Sequence, residues 1–507
     1  MSDTKEQGRG RLPLPVLPLS LTYLAVALNM TIASVALPTI STELSATADQ
    51  LAWIVNATPM TSAAFILFAG AWSDRLGRKR MLLLGNVIFL VAALLSGMTN
   101  SVEILILLRA LTGLGSALAM PSAMALTFDV TAGTSQRTAV GIMGGTQAIG
   151  ALLGPLVGGA ALVTFGWHAA FWSVAPMLAL ALIMNVIWLP KDTPAERRSM
   201  DNGGATLTAV AGVAFLYAAV SAASSPDVWV WVALVVGVLS SVALVWWERR
   251  VDEPLFDPAI VKRRTFLIPT LTVFLVQFTL GGLLFLNTQY VQLVLGFSAL
   301  AAGLFLMPAL LMWTASSATA GVTAKRFGAR NVTAIALVIT GIGLVLTSSG
   351  GRNPFYPVLI LGLVLTGVMG VAPALMTHTS VSNYPEERRS VGSAINSMAV
   401  RFGLAFGVAA YGTLLAIRYK SDVSGATQGL SPEDQYDATE SLGGALNVAE
   451  RTNAGGLADA ARDAYVSGFQ MTLIVAAVVL VVLAVIVWRG LPARLESGST
   501  DNPEVAA

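Results

Sequence analysis

Polar side chains inside the long apolar stretches of this 507-residue chain are few, and they are the first candidates for chemistry. Asn29 is the third residue of "ALNMTIASVALP", within a long apolar window, and Arg109 and Arg401 each lie in an apolar window that is otherwise free of charge. Inside a bilayer such groups are costly and are usually functional. An amide can form hydrogen bonds but cannot titrate, whereas a guanidinium group stays charged.

The elements that must hold these groups are membrane spans. The chain is 55% hydrophobic and 11% charged, whereas a soluble chain carries about 25% charged residues. Fourteen apolar windows of roughly 20 residues, the length that crosses a bilayer, follow one another along the sequence. The sequence therefore predicts an all-α membrane protein with fourteen transmembrane helices.

Basic residues fall almost entirely on one side of the predicted spans, and the positive-inside rule places that side in the cytoplasm. An even number of spans puts both termini there. The polar N-terminus carries no cleavable-signal pattern, so the first apolar segment is expected to be retained. One outer segment, 417–464, is long and acidic, with Ser431 and Pro432 predicted to start a helix. A solvated loop is favoured over a vestibule that attracts cations.

The loop sequence "GAWSDRLGRKR" at 70–80 has a partial repeat, "GVTAKRFGARN", at 321–331. Two related six-helix halves separated by two inserted helices would give this spacing, and transporters built from repeats bind substrate between them. The predicted organisation is a cytoplasmic tail (1–13), an N-terminal six-helix half (14–190), a linker with two inserted transmembrane helices (191–264), a C-terminal six-helix half (265–489) that includes the outer loop (417–464), and a second cytoplasmic tail (490–507).

"GAWSDRLGRKR" resembles the loop signature between helices 2 and 3 of the major facilitator superfamily. The resemblance implies a latch in which Asp74, Arg75 and Arg78 hold the two halves closed on the cytoplasmic side. Asp129, at the inner end of span four, matches the acid that completes this charge relay in the family. The alternative is that the basic cluster serves only to set the membrane topology.

"GIMGGTQAIGALLGPLVGG" at 141–159 fits the pattern G-x8-G-x3-G-P-x2-G-G. Glycines four residues apart lie on one helix face and permit close packing, and the proline bends the helix. The pattern resembles the antiporter motif in helix 5 of exporters of the superfamily, and it therefore favours export. The residues concerned are Gly141, Gly150, Gly154, Pro155, Gly158 and Gly159.

Three further stretches carry the resemblance, and the second and third of them narrow it to the fourteen-helix drug:proton antiporters. "RALTGLGSALAMP", which begins at Arg109, resembles the helix 4 motif whose arginine is linked to proton transfer, with snorkelling to the membrane surface as the alternative. "YVQLVLGFSALAAGLFLMP" at 290–308 resembles the signature after helix 9. "GWHAAFWSVAP" at 166–176 resembles the segment entering helix 6, with His168 where arginine is usual. The resemblance implies a major facilitator fold and proton-coupled export of drugs or antibiotics by alternating access.

"LNMTIASVALP" resembles the helix 1 motif of these antiporters, in which an aspartate stands at the position of Asn29. That acid is the proton carrier in relatives, and no other acid lies in the middle of a predicted span. Three interpretations stay open. Asn29 is an introduced replacement that mimics the protonated acid, or protons travel through boundary acids such as Glu103 or Asp129, or the protein is not a proton antiporter.

Substrate is expected between spans 1–6 and spans 9–14, where aromatic and methionine side chains tolerate varied ligands. Plain packing is the alternative role for each candidate. Without a central carboxylate, selectivity for cationic substrates is expected to be weaker than in relatives. Neutral and anionic amphiphiles therefore stay open as candidate substrates. The candidate lining residues are Asn29, Met30, Trp53, Gln147, Gln277, Asn287, Met307, Trp313, Asn396 and Arg401.

Enzymatic chemistry is disfavoured because no group of catalytic or metal-binding side chains converges in the sequence, which holds no cysteine and two distant histidines. No cofactor is expected beyond a proton gradient as the energy source. The expected partners are a small hydrophobic or amphiphilic substrate, protons and the lipid bilayer, with no nucleic acid. A monomer in a bacterial plasma (inner) membrane is predicted. The alternatives are an exporter of one metabolite or lipid, and a non-transporting membrane sensor or receptor.

Overall fold

The computed structural model describes residues 14–131, 133–192, 202–221, 228–251, 263–382 and 389–492, and the regular structure in these ranges is helical throughout. A π-helical turn, Tyr290–Val294, and a 3-10 turn, Val368–Gly370, extend two of the helices. The α-helices are α1 Val16–Glu43, α2 Ala48–Leu76, α3 Arg78–Ser96, α4 Val102–Val130, α5 Gly133–Phe165, α6 Trp167–Trp172, α7 Ala175–Trp188, α8 Asn202–Ser221, α9 Val228–Glu248, α10 Arg264–Gln289, α11 Ala299–Phe327, α12 Ala329–Ser348, α13 Tyr356–Gly367, α14 Val371–Ser382, α15 Arg389–Val423, α16 Pro432–Glu440, α17 Leu442–Thr452 and α18 Gly455–Gly490.

Helices lie at every apolar window that the sequence predicts. Within the described residues, eleven helical stretches are long and apolar enough to cross a membrane. The other predicted spans coincide with α2, α5 and α8, whose apolar parts include the shorter stretches Leu153–Phe165 and Gly203–Ala218. The all-helical architecture is therefore confirmed, and the total of fourteen spans stays a prediction.

Local sequence explains where several helices begin. Thr47 and Gln50 form a capping box at α2, in which Gln50 N donates to Thr47 Oγ1 at 3.3 Å and Thr47 N donates to Gln50 Oε1 at 3.0 Å. The short turns before α3 and α12 are made by Gly77 and Gly328, whose φ angles of 107° and 80° favour glycine. Ser431 caps α16 as predicted, because its Oγ accepts from Asp434 N at 3.2 Å.

The helices pack as two groups with two main contacts between them, and α1 also contacts α10. In the N-terminal half, α1 packs on α5 and α4 packs on both α2 and α3. In the C-terminal half, α10 packs on α15 and α12 packs on α18. The halves contact each other through α2 with α15 and through α5 with α11. The inserted α8 packs on α9 and also on α2 and α15, so it lies beside one of the contacts between the halves.

The two partly repeated loop sequences make equivalent contacts in the two halves. Lys79, at the start of α3, donates from Nζ to Val186 O at 2.9 Å and Leu189 O at 2.7 Å, where α7 ends. Arg330, at the equivalent position of α12, donates from Nη1 to Leu491 O at 3.4 Å, where α18 ends. A basic side chain therefore ties the third helix of each half to the end of the sixth, a favourable place for positive charge.

The long outer segment forms two helices, α16 and α17, which we call the outer cap. The cap is joined to the C-terminal half by Lys420 Nζ, which lies 2.7 Å from Glu440 Oε1. It reaches the N-terminal half through Asn447 Nδ2, which donates to Thr42 O at 2.7 Å. Acids of the outer segment pair with nearby bases, which disfavours an open acidic vestibule; the pairs are Asp422 with Arg418, Asp434 with Arg451, Glu440 with Lys420, and Asp459 with Arg352 and Arg462.

Candidate transport site

Arg109 lies in the interior of the N-terminal half. Its side chain is 1% exposed, and its guanidinium lies 5.7 Å from the ring centroid of Phe171. Nη1 donates to Asn29 Oδ1 at 2.6 Å and Nε donates to Ile54 O at 3.1 Å. The guanidinium therefore points into the helix bundle, and this geometry excludes snorkelling to the membrane surface.

Asn29 is the buried partner of Arg109. Its side chain is 1% exposed, and its Oδ1 accepts the hydrogen bond from the guanidinium. Its Nδ2 has no hydrogen-bond partner in the described residues. The amide thus occupies the place where a carboxylate would form an ion pair with Arg109, but it supplies an acceptor without charge.

The glycines of α5 bring it into close contact with α1, the helix that carries Asn29. A Cβ built on Gly154 would overlap Thr31 Oγ1, and one built on Gly150 would lie 2.7 Å from Leu24 O. A Cβ on Gly158 would lie 3.1 Å from Ile32. The prediction that these three glycines share a packing face is therefore confirmed.

The other residues of the α5 pattern have different surroundings. Pro155 faces the opposite half, since a Cβ built on Gly303 of α11 would lie 2.7 Å from Pro155 O. Gly159 is buried in α5. Gly141 lies in the same helix, but its side-chain environment and the side chain of Gln147 fall outside the described residues.

Hydroxyl groups line the contact between α2 and α4, and we call Thr58, Ser62 and Ser116 the polar seam. Thr58 Oγ1 donates to Arg109 O at 2.8 Å, and Ser116 Oγ donates to Ser62 Oγ at 3.0 Å. The sequence analysis did not single out these residues. The spacing of two of them could have identified a polar helix face, because Thr58 and Ser62 are four residues apart and share one face of α2.

Arg401 crosses from the C-terminal half to the N-terminal half at the polar seam. Its side chain is 7% exposed. Nη1 donates to Ser62 Oγ, and Nη2 lies 3.1 Å from Met120 Sδ. Tyr23 OH donates to Met120 O at 3.2 Å, so α1, α2, α4 and α15 converge at this point.

The predicted latch is present in part. Arg78 Nη1 lies 2.5 Å from Asp129 Oδ1, and both side chains are partly exposed. The side chains of Asp74 and Arg75 lie outside the described residues. Both members of the observed pair belong to the N-terminal half, so the pair by itself joins α3 to α4 and not one half to the other.

Asp192, which the sequence analysis missed, holds the start of α3. Its Oδ1 accepts from Lys79 N at 2.7 Å and its Oδ2 accepts from Arg80 N at 3.2 Å. Its side chain is 17% exposed, and it closes over Gly77, where an added Cβ would overlap its carboxylate. A carboxylate on the free N–H groups of a helix start is favourable. The helix-capping side chain comes from a residue more than a hundred positions away, which local pattern alone does not reveal.

These contacts predict that alanine substitutions of Asp192 and Asp129 lower the stability of the protein by different amounts. Asp192→Ala is expected to destabilise the protein by about 1–2 kcal/mol, the usual range for a lost helix cap. Asp129→Ala removes a partly exposed ion pair and is expected to change stability by less than about 1 kcal/mol. Apparent melting temperatures of the purified variants measure the difference. A larger loss for Asp129→Ala would contradict this assignment of the cap.

Glu103 and Trp53 lie away from the Asn29–Arg109 pair. Glu103 is exposed at the start of α4, where it accepts from Gln50 Nε2 at 3.1 Å and from Ser101 Oγ at 2.8 Å. Trp53 packs on Tyr217 of the inserted α8, with ring centroids 5.9 Å apart.

The predicted lining residues of the C-terminal half are spread over several contacts. Asn287 and Trp313 line a narrow cavity of about 30 Å³ within this half, room for about one water molecule and not for a drug. Asn396 Nδ2 donates to Thr377 Oγ1 at 3.0 Å. Met30, Gln277 and Met307 are half-buried in α1, α10 and α11. The structure therefore does not gather the predicted lining residues into one described cavity.

Two packed groups of long apolar helices, with a buried polar pair in one and a buried arginine between them, define a membrane transporter. The sequence model of the Major Facilitator Superfamily matches residues 19–204 and 193–408, and the chain belongs to this superfamily. It is therefore a member of a transporter family and not an enzyme.

The similar curated proteins are named as efflux, export or resistance proteins. The multidrug efflux pump LfrA of Mycolicibacterium smegmatis is 30% identical over 492 residues, which cover 96% of this chain and 97% of that protein. The methyl viologen resistance protein SmvA of Salmonella typhimurium is 27% identical over 483 residues, 93% of this chain and 96% of that protein. The tetracenomycin C resistance and export protein of Streptomyces glaucescens is 30% identical over 421 residues, 81% and 77% of the two chains.

Solved structures share the fold. A bacterial homolog of the human lysosomal transporter Spinster, in an inward-facing and unoccupied conformation, superposes with a TM-score of 0.67 at 15% identity, covering 97% of this chain and 100% of that one. A mutant form of the nucleoside transporter NupG gives a TM-score of 0.63 at 13% identity and covers 94% and 100%. At such identities the likeness concerns the fold alone.

Proposed function

We propose that this chain is a secondary active transporter that exports drugs or antibiotics across a bacterial plasma membrane by alternating access coupled to protons. The observation that carries the proposal is the buried Asn29–Arg109 pair on α1 and α4, with α1 seated on the glycine face of α5. The names of the similar proteins, which are efflux pumps and resistance proteins, support the export direction.

The proposed topology has fourteen spans, with both termini cytoplasmic and the protein monomeric. Helices at every predicted window support the count, and the one-sided distribution of basic residues supports the orientation. Residues 14–190 and 265–489 are the proposed transporting halves. Residues 191–264 are the proposed insertion, and the position of α8 beside both α2 and α15 supports a role next to the substrate path.

The proposed coupling uses groups other than Asn29, because an amide cannot take up a proton. Asp129 is the preferred boundary acid because it forms an ion pair with Arg78 at the proposed cytoplasmic ends of α3 and α4, so that a change at Asp129 would alter the contact between these helices. Together with Asp74 and Arg75, this pair is the proposed latch. A ligand or a proton shifts such an equilibrium only by its differential affinity for the two conformations.

The test is flux in proteoliposomes that contain an internal pH dye. Fluorescent cationic, neutral and anionic amphiphiles are offered to the chain with Asn29 and to Asn29→Asp. A carboxylate at position 29 would lie beside Arg109 and could carry a proton, so we expect the variant to release protons on substrate addition more strongly than the chain with Asn29. Arg418→Gln, on the outer part of α15, is the matched control.

Each outcome assigns a different mechanism. Proton release by both forms would place the natural route at Asp129 or another boundary acid. Substrate flux without proton movement in either form would leave a transporter and remove the proton coupling. Binding without flux in both forms would contradict the transporter proposal and favour a sensor or receptor. Resistance profiling in an efflux-deficient host then separates broad drug export from export of a single compound.

A further inference from the structure

Two guanidinium groups lie buried in the centre of this protein, and no described carboxylate pairs with either of them. Arg109 and Arg401 are 1% and 7% exposed. In the described part of the chain, their hydrogen bonds go to an amide oxygen, a backbone carbonyl, a hydroxyl and a thioether. Buried charges are normally paired, because an unpaired ion loses its hydration without compensation. The centre of the protein therefore carries uncompensated positive charge.

On the two helices that contact Arg401, the acids lie far from the points of contact. None of the 28 Asp and Glu residues lies in the middle of a predicted span. Along α2, Asp74 lies about 18 Å beyond Ser62, and along α4, Asp129 lies about 13 Å beyond Met120, from the helical rise. Among the described residues no carboxylate compensates the two guanidinium groups, so a bound anion would supply the missing negative charge.

Arg401 lies where the two halves contact each other, on a helix of the C-terminal half. It contacts the polar seam at Ser62, and its two observed acceptors, Ser62 Oγ and Met120 Sδ, carry no charge. A carboxylate can accept two parallel hydrogen bonds from one guanidinium, and such charge-assisted bonds are roughly twice as strong as neutral ones. An oxyanion would therefore displace the hydroxyl and the thioether favourably.

Arg109 adds a second positive charge to the region around Arg401 and so strengthens the preference for an anion. Its acceptor Ile54 and the Arg401 acceptor Ser62 both lie on α2, about 12 Å apart by the helical rise. Two positive charges in a low-dielectric interior attract anions and repel cations. The central charge is thus opposite to the charge that would select a cationic drug.

We propose that an anionic amphiphile binds at the contact between the two halves, with the oxyanion of the ligand paired to Arg401. This inference rests on the proposed export function and specifies its substrate class. A free inorganic anion, such as chloride, would have the same charge chemistry at Arg401, and the experiment separates the two sources.

The experiment measures equilibrium binding of three matched probes to the full chain in nanodiscs, by energy transfer from tryptophan to a dansyl group. Dansylglycine carries a carboxylate, dansylamide is neutral, and N-(2-aminoethyl)dansylamide carries an ammonium group. Empty nanodiscs give the partition background. We expect the carboxylate to bind at least about tenfold more tightly than the neutral probe, and the ammonium probe to bind most weakly.

The variants assign the preference to one side chain. Arg401→Gln keeps a donor for Ser62 but removes the charge, so the preference for the carboxylate should vanish while the affinity for dansylamide stays the same. Arg401→Lys should retain part of the preference, because an ammonium group keeps the charge and loses the fork geometry. Arg418→Gln, on the same helix, should change nothing. Unchanged dansylamide binding also shows that a variant has folded.

The outcomes separate this inference from the function on which it rests. Equal binding of the three probes, or a carboxylate preference that survives in Arg401→Gln, would overturn the inference even if flux is observed. Selective binding without flux would support the anion site and contradict export. Competition by chloride, but not by gluconate, would assign the site to a free inorganic anion, and insensitivity to chloride would assign it to the amphiphile itself.

Discussion

Gly154→Leu is expected to abolish transport, because the contact between α1 and α5 has no room for a side chain at this position. A Cβ there already overlaps Thr31 Oγ1, and Leu28 O lies 3.0 Å away. Overpacking a well-packed contact costs about 1–3 kcal/mol and occasionally more. Since Thr31 is two residues from Asn29, the displacement would also disturb the pair with Arg109. Flux per folded molecule in proteoliposomes measures the effect.

A graded alanine series provides the internal comparison. Gly154→Ala is expected to be the most harmful, Gly150→Ala intermediate, and Gly158→Ala mild, in the order of the available space. Gly321→Ala is the control, because nothing lies within 4 Å of a Cβ at that helical position. It should be neutral or stabilise by up to about 1 kcal/mol. Equal effects at all four positions would show that helix propensity, and not interhelical contact, decides the outcome.

Arg109→Met is expected to reduce flux at least about 100-fold, a change of about 2.7 kcal/mol in activation free energy. The fold should survive. Replacing a buried ion pair by apolar residues is often neutral or stabilising by about 1–4 kcal/mol, and we expect the removal of a buried charge that has no described ion partner to act in the same direction. The Asn29 oxygen left without a donor costs about 1–3 kcal/mol. These contributions oppose each other, so the apparent melting temperature should change by no more than about 3 °C.

The double variant Asn29→Leu with Arg109→Met is the matched control for this prediction. It removes the orphaned amide together with the charge, so it should be at least as stable as Arg109→Met alone and equally inactive. A fall in melting temperature of more than about 10 °C for Arg109→Met would contradict the prediction, since it would show that the arginine is chiefly a structural residue.

The sequence predicted those parts of the site in which residue type and spacing along one helix suffice. Gly150, Gly154 and Gly158 are four apart, so any helix brings them to one face, and the structure shows that face against α1. Arg109 was recognisable as a candidate functional residue, because a charged side chain within a membrane span is costly and usually functional. The helical architecture followed from hydropathy in the same way.

Contacts between segments far apart in the sequence could not be predicted from residue type and spacing along one helix. Asp192 reaches the start of α3, and Arg401 reaches Ser62 across the two halves. To predict either contact, one must know how helices far apart in the sequence pack against each other. The spacing of residues within one helix does not give this information. The candidate lining residues illustrate the same limit, since Trp53 was expected in the central cavity and instead packs on Tyr217 of the inserted α8. Polarity alone does not tell which way a side chain faces.

The outer cap has a consequence for the proposed transport cycle. It is joined to the C-terminal half by Lys420 and Glu440 and reaches the N-terminal half through Asn447 and Thr42, so this last hydrogen bond exists only while the cap stays against α1. One such bond is worth about 1 kcal/mol, roughly a fivefold bias in a two-state equilibrium. Under the proposed alternating-access mechanism, the cap therefore favours the conformation in which the two halves lie together on the side of the cap.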